Sequence, residues 1–169
     1  NPWWRAASVD RQHASGLGDG QAVRASVVAA LGRAADQDAP VEPWIQSSSR
    51  RSPIRVPEAL TPDLARFLGL LIAEGSNGPP TGAVTFVNTD PALVDDFVSL
   101  TVSLFGKNPY RKAYPAGQER AYIFSRALAL LLERRLAFPI GSRAAHKALP
   151  PALLSAPEHV QWAFLSGLF

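Results

Sequence analysis

The chain has 169 residues, 47% of them hydrophobic and 18% charged, so it can bury a core and is not disordered as a whole. Cysteine and methionine are both absent; this excludes a disulfide framework and a cysteine-ligated zinc site, and a piece of a longer chain is expected. A net charge of +3 and a pI near 9.7 allow a nucleic-acid partner, while no stretch reaches the roughly 18 apolar residues of a membrane span, so no membrane partner and an intracellular setting are expected.

Residues 1 to about 20 mix Trp3 and Trp4 with the loop composition of Ser15 to Gly20, and His13 reads as a surface residue. A helix is expected over 21–35, with Val23, Val27, Ala30 and Leu31 on one face. Residues 36–58 hold Pro40, Pro43, Pro53 and Pro57 around Ser47-Ser48-Ser49-Arg50-Arg51, which is linker chemistry. Arg50, Arg51 and Arg55 are either phosphate contacts or the charges of a solvated linker. Trp44 and Ile45 are placed to pin this linker to the next domain.

A helix over 60–74 comes next. Thr61 can cap it, Pro62 suits its first position, and Asp63 complements the positive end of the dipole. Leu64, Phe67, Leu68 and Leu71 form an apolar face, and Gly69 and Ala73 form a smooth one on which another backbone can lie. Gly75 suits a left-handed closing residue. Glu74 is the odd member, because a carboxylate at the negative end of a helix dipole asks for a compensating cation. Ser76 to Thr81 reads as a turn and 82–88 as a strand. Asp90 and Pro91 open a second helix, 91–105, that buries Leu93, Val94, Phe97, Leu100 and Leu104.

Lys107 to Tyr114 and Glu119 to Ser125 read as a hairpin joined at Pro115 to Gln118. Tyr110, Lys112 and Tyr114 alternate onto one face, Arg111 and Ala113 onto the other. Lys107, Arg111, Lys112 and Arg120, interleaved with tyrosines, suit groove and phosphate contact, or else form an ordinary solvent-facing hairpin whose lysines discourage edge pairing. A helix over 126–136 carries Leu128, Leu131, Leu132 and Leu136. Gly141 to Pro150 is a loop containing His146 and Lys147, and a last helix opens at Pro157.

The stretch FLGLLIAEG, residues 67–75, resembles the dodecapeptide of the LAGLIDADG homing endonucleases. Three further blocks are similar to that family: FVNTDPALVDDFV running to Leu104-Phe105-Gly106, the loop Lys147-Ala148-Leu149-Pro150, and Phe164-Leu165-Ser166-Gly167-Leu168-Phe169, which looks like the front of a second dodecapeptide. The resemblance covers roughly 58–169. It implies an α+β half-domain over 58–156, with a saddle-shaped antiparallel sheet and helices on one face. Residues 157–169 would start the second motif helix, and 1–57 would be a helical and Pro/Ser-rich linker segment outside the resemblance.

In such a protein Glu74 would be the metal-binding acid, standing where aspartate is commoner, and Lys147 an active-site lysine. Gly69, Ala73 and Gly167 would pack the two motif helices, and the hairpin would contact double-stranded DNA. The cofactor implied is Mg²⁺, and the second acid would fall three residues past Phe169. The partners implied are double-stranded DNA and a second LAGLIDADG half-domain in the same chain. The activity implied is site-specific DNA cleavage, of intein type. Two alternatives stay open: a nucleic-acid-binding protein of the same fold without catalysis, and a splicing intein with a decayed nuclease. A fragment ending in the second motif is expected to be inactive alone and to self-associate through helix 60–74.

Overall fold

The computed structural model describes residues 44–45, 53–78, 80–136, 138 and 148–169. The expected helix at 21–35, His13, Arg50, Arg51, His146 and Lys147 lie outside them. The fold is α+β: a four-stranded antiparallel sheet with helices.

A short ladder precedes it. Strands β1 (Trp44–Ile45) and β2 (Ile54–Arg55) pair antiparallel, Ile45 opposite Ile54. The Ile54 side chain is fully buried in the main core. Arg55 donates from Nη1 to the Ser103 carbonyl at 2.9 Å. Ile54 and Arg55, ahead of residue 58, thus pack with the main fold.

Helix α1 (Pro62–Glu74) starts as its residues dictate: the Thr61 hydroxyl accepts from the Leu64 N–H at 3.2 Å. Its end differs from expectation. Gly75 has φ −106° and ψ 175°, so the chain leaves the helix extended. The glycine is needed there for space, because a Cβ would run into Leu71. The chain continues directly as strand β3 (Gly75–Gly78), where a turn was expected. Gly-Ser-Asn-Gly has little strand propensity; pairing against β4 (Ala83–Asn88), Gly75 opposite Phe86, makes it a strand. The Asn77 amide, fully buried, donates to the Ala129 carbonyl at 3.1 Å and anchors that edge.

Helix α2 (Pro91–Phe105) is capped by Asp90, whose Oδ1 accepts from the Ala92 N–H, and ends at the left-handed Gly106, φ 64°. Strand β5 (Tyr110–Ala113), a 3₁₀ turn at Pro115–Gly117 and strand β6 (Glu119–Phe124) make the hairpin. The sheet order is β3-β4-β6-β5. Helix α3 (Arg126–Leu136) comes after it, then the short α4 (Pro151–Leu154) and α5 (Glu158–Leu168).

Alternation along the strands sorts the sheet into two faces. Val84, Phe86, Ala121 and Ile123 are buried on the helix side. There Phe97 of α2 stacks on Phe67 of α1 at 5.1 Å and on Phe86 of β4 at 4.7 Å, locking two helices to the sheet. Among the described residues no helix is long and apolar enough to cross a membrane.

Candidate nucleic-acid interface

Three features meet at one edge of the fold: a helix seam, a carboxylate at its end, and a face of the sheet.

The seam joins α1 to α5. A Cβ on Gly69 would overlap the Phe164 carbonyl oxygen, and a Cβ on Gly167 would overlap the Arg66 carbonyl oxygen. Each glycine thus meets the carbonyl three residues before the other, the reciprocal pattern of a local two-fold. Backbones this close leave no room for any side chain but hydrogen. Ala73 lies one turn beyond, half-buried. Arg66 fastens the seam: Nη1 donates to the Ser166 hydroxyl at 2.8 Å and carbonyl at 3.1 Å, while Nε pairs with Asp96 of α2 at 2.7 Å. Sequence reasoning missed this clasp; its signal is Arg66, the one basic residue of the helix, between Ala65 and Phe67. Gly69 is thus covered by α5 of the same chain.

Glu74 closes α1. It is exposed, with no basic residue in the last helical turn. It lines a cavity of about 220 Å³ together with Val87, Asn88, Thr89 and Gln118. Asn88 Oδ1 already accepts from the Asp90 N–H at 2.9 Å. The remaining donors are hard oxygens, which suit Mg²⁺ retaining most of its water. Among the described residues no three His, Cys, Asp or Glu side chains cluster as a closed metal site. Glu74 is the one carboxylate that lines this cavity.

The sheet face away from the helices carries Tyr110 and Lys112 of β5, Arg120, Tyr122 and Phe124 of β6, and Ala83, Thr85 and Val87 of β4, in register. Lys112 and Arg120 stand directly opposite each other, a repulsive placement for like charges. Both lean on Tyr114, Lys112 Nζ at 5.1 Å and the Arg120 guanidinium at 4.6 Å from its centroid. The Tyr114 and Tyr122 hydroxyls share a hydrogen bond of 2.8 Å; it pushes the Tyr122 phenol below its ordinary pKa and raises that of Tyr114.

Arg111 departs from this group. It lies on the helix side, where Nε and Nη2 donate to Glu119 at 2.6 and 2.9 Å and Nη1 donates to Asp95 at 2.6 Å. Hydrogen bonds to Glu119 and then Asp95 raise its pKa, and the same pairing lowers that of Glu119. A guanidinium held by two carboxylates has little left for phosphate, so Arg111 serves the hairpin. Lys107, half-buried before β5, has its pKa lowered by desolvation.

No protein-family model matches the chain. It is 33% identical over 120 residues to a subunit of the A-type ATP synthase of Pyrococcus horikoshii, covering 71% of this chain and 12% of that protein. It is 30% identical over 115 residues to a DNA polymerase of Thermococcus hydrothermalis, and 26% to one of Thermococcus litoralis, in each case over 63% of this chain and 6% of the polymerase. The chain therefore spans a small part of the relatives it matches. The matched shares, 71% and 63%, together exceed the chain, so the two matched segments overlap.

Proposed function

We propose that the chain is the DNA-gripping half of a metal-dependent, site-specific double-stranded DNA endonuclease of LAGLIDADG type, carried inside a longer host protein. The observation that carries this reading is the glycine-on-glycine seam, which delivers Glu74 to the cationic end of an aromatic and basic sheet face. Overlapping similarity to proteins whose names denote unrelated work, a DNA polymerase and part of an ATP synthase, supports an insertion of intein type.

Each residue then has a task. Lys112 and Arg120 hold phosphates and fix the duplex on the sheet. Gly69 and Gly167 set the position of Glu74 by letting two backbones touch. Arg66 keeps α5 from sliding along α1. The chemistry Mg²⁺ supplies when bound at Glu74 is polarisation of the scissile phosphate and activation of water. Lys147, outside the described residues, is the candidate for stabilising the charge that develops on the phosphate. Ala73 keeps the last turn of α1 narrow, and a second carboxylate is required from a second half-domain.

The test is Glu74→Gln in the parent protein, on a duplex site obtained by selection. Mg²⁺-dependent cleavage is expected to disappear while binding changes less than about twofold, because a ligand is lost and the phosphate contacts remain. Cleavage that survives the substitution refutes the role of Glu74. Binding with no cleavage by the unsubstituted parent supports instead a DNA-binding protein of the same fold, which the one carboxylate lining the cavity, Glu74, would also suit.

A further inference from the structure

The open face of the sheet is chemically divided. Its cationic end, Lys112 opposite Arg120, adjoins the cavity of Glu74, since Val87 lines that cavity and pairs with Arg120. Its far end carries Tyr110, Tyr122 and Phe124, beside Ala83 and Thr85. Tyr110 is 57% exposed and Phe124 54%. Neither ring contributes much by burial, because the core lies on the other side of the sheet. None of the strand positions on this face is a carboxylate. An exposed apolar strip bounded by cations marks a surface that is covered in use.

Ring geometry narrows what covers it. Tyr122 and Phe124 are parallel within 2°, with centroids 5.8 Å apart. Parallel rings at that distance cannot lie flat side by side; they are slipped over one another. An exposed phenylalanine beside paired cations suits apolar contact with the thymine C5-methyl, the one methyl group that the major groove offers. A two-stranded ribbon fits that groove in B-DNA, and the deep, narrow groove of RNA does not admit it.

We propose that Phe124, backed by Tyr122 and Tyr110, reads thymine methyl groups in the major groove. This rests on the duplex reading given above and adds the base it selects. Phe124 lies four residues along β6 from Arg120, about 13 Å at the usual strand rise, close to the rise of four base pairs. The recognised thymines therefore lie about four base pairs from the phosphates held by Lys112 and Arg120.

The test uses the 169-residue chain and a randomised duplex pool. In the selected duplexes each thymine is replaced in turn by deoxyuridine. Loss of the methyl is expected to weaken binding about fourfold at thymines grouped at one end, the change for a methyl-sized group returned to water. Phe124→Ala is expected to erase that difference, and circular dichroism of the variant checks that the fold persists. Equal affinity for thymine and uracil duplexes overturns the inference and leaves duplex binding standing. A selected site with no thymine at either end overturns it too, as does tighter binding of single strands than of duplex. Failure to retain any duplex at low salt overturns the reading beneath it.

Discussion

Gly167 shows what one residue decides. A Cβ there meets backbone, the Arg66 carbonyl and the Leu70 nitrogen, neither of which can rotate away. Gly167→Ala must part the helices. The expected loss is about 1–3 kcal/mol, the usual cost of overpacking, seen as a lower urea midpoint with an unchanged m-value. Gly69 was legible in the sequence as part of a smooth face, Gly167 only through resemblance to a motif, and the structure puts the two together. The clasp of Arg66 was not legible, because its partners come from two distant helices and no spacing rule joins them. Gly75 misled for a related reason. Glycine after a helix usually signals left-handed backbone, but here extended backbone and a tight approach to Leu71 require it.

At the scale of elements, the helices were the readable part. Their caps and apolar repeats are local, and Thr61, Asp90 and Gly106 act where local chemistry puts them. Strand β3 was unreadable because its pairing with β4, and not its own residues, creates it. The hairpin divides its basic residues by face, and the division can be measured. Neutralising Lys112 and Arg120 is expected to flatten the dependence of log affinity on log salt by about 0.9 for each phosphate no longer held. Arg111→Gln is expected to leave that slope unchanged, and an equal change in all three variants would contradict the sorting. Arg111 acts on pH behaviour instead. Glu119 titrates below its ordinary value of 4.5, so its pairing stabilises the hairpin above that pH and is lost as pH falls through the lowered value. Thermal melts should show wild type above Arg111→Gln near neutrality, with the two converging in acid.

For the whole molecule, the two helices of the seam belong to different ends of the described chain, and Arg66 ties them to α2 as well. Arg66→Ala removes a partly shielded ion pair and two hydrogen bonds. A loss of about 1 kcal/mol is expected, with hydrogen exchange rising in α5 before the sheet. Uniform acceleration throughout the chain would show that the clasp has no special hold on α5. The contribution of residues ahead of helix α1 was harder to read than the elements. Ile54 joins the core from within a segment whose composition is that of a linker, and only burial reveals it. Arg66 and Ser166 stand one hundred residues apart in sequence. Contacts that close so long a loop bear its entropy before they are rewarded, so they form late on the way to the native state and open early on the way out. The sheet is assembled from closer neighbours and outlasts them. As the molecule warms, the order of failure is thus written into the chain: the frame of Glu74 loosens first, and under the proposed function grip would outlast the cut.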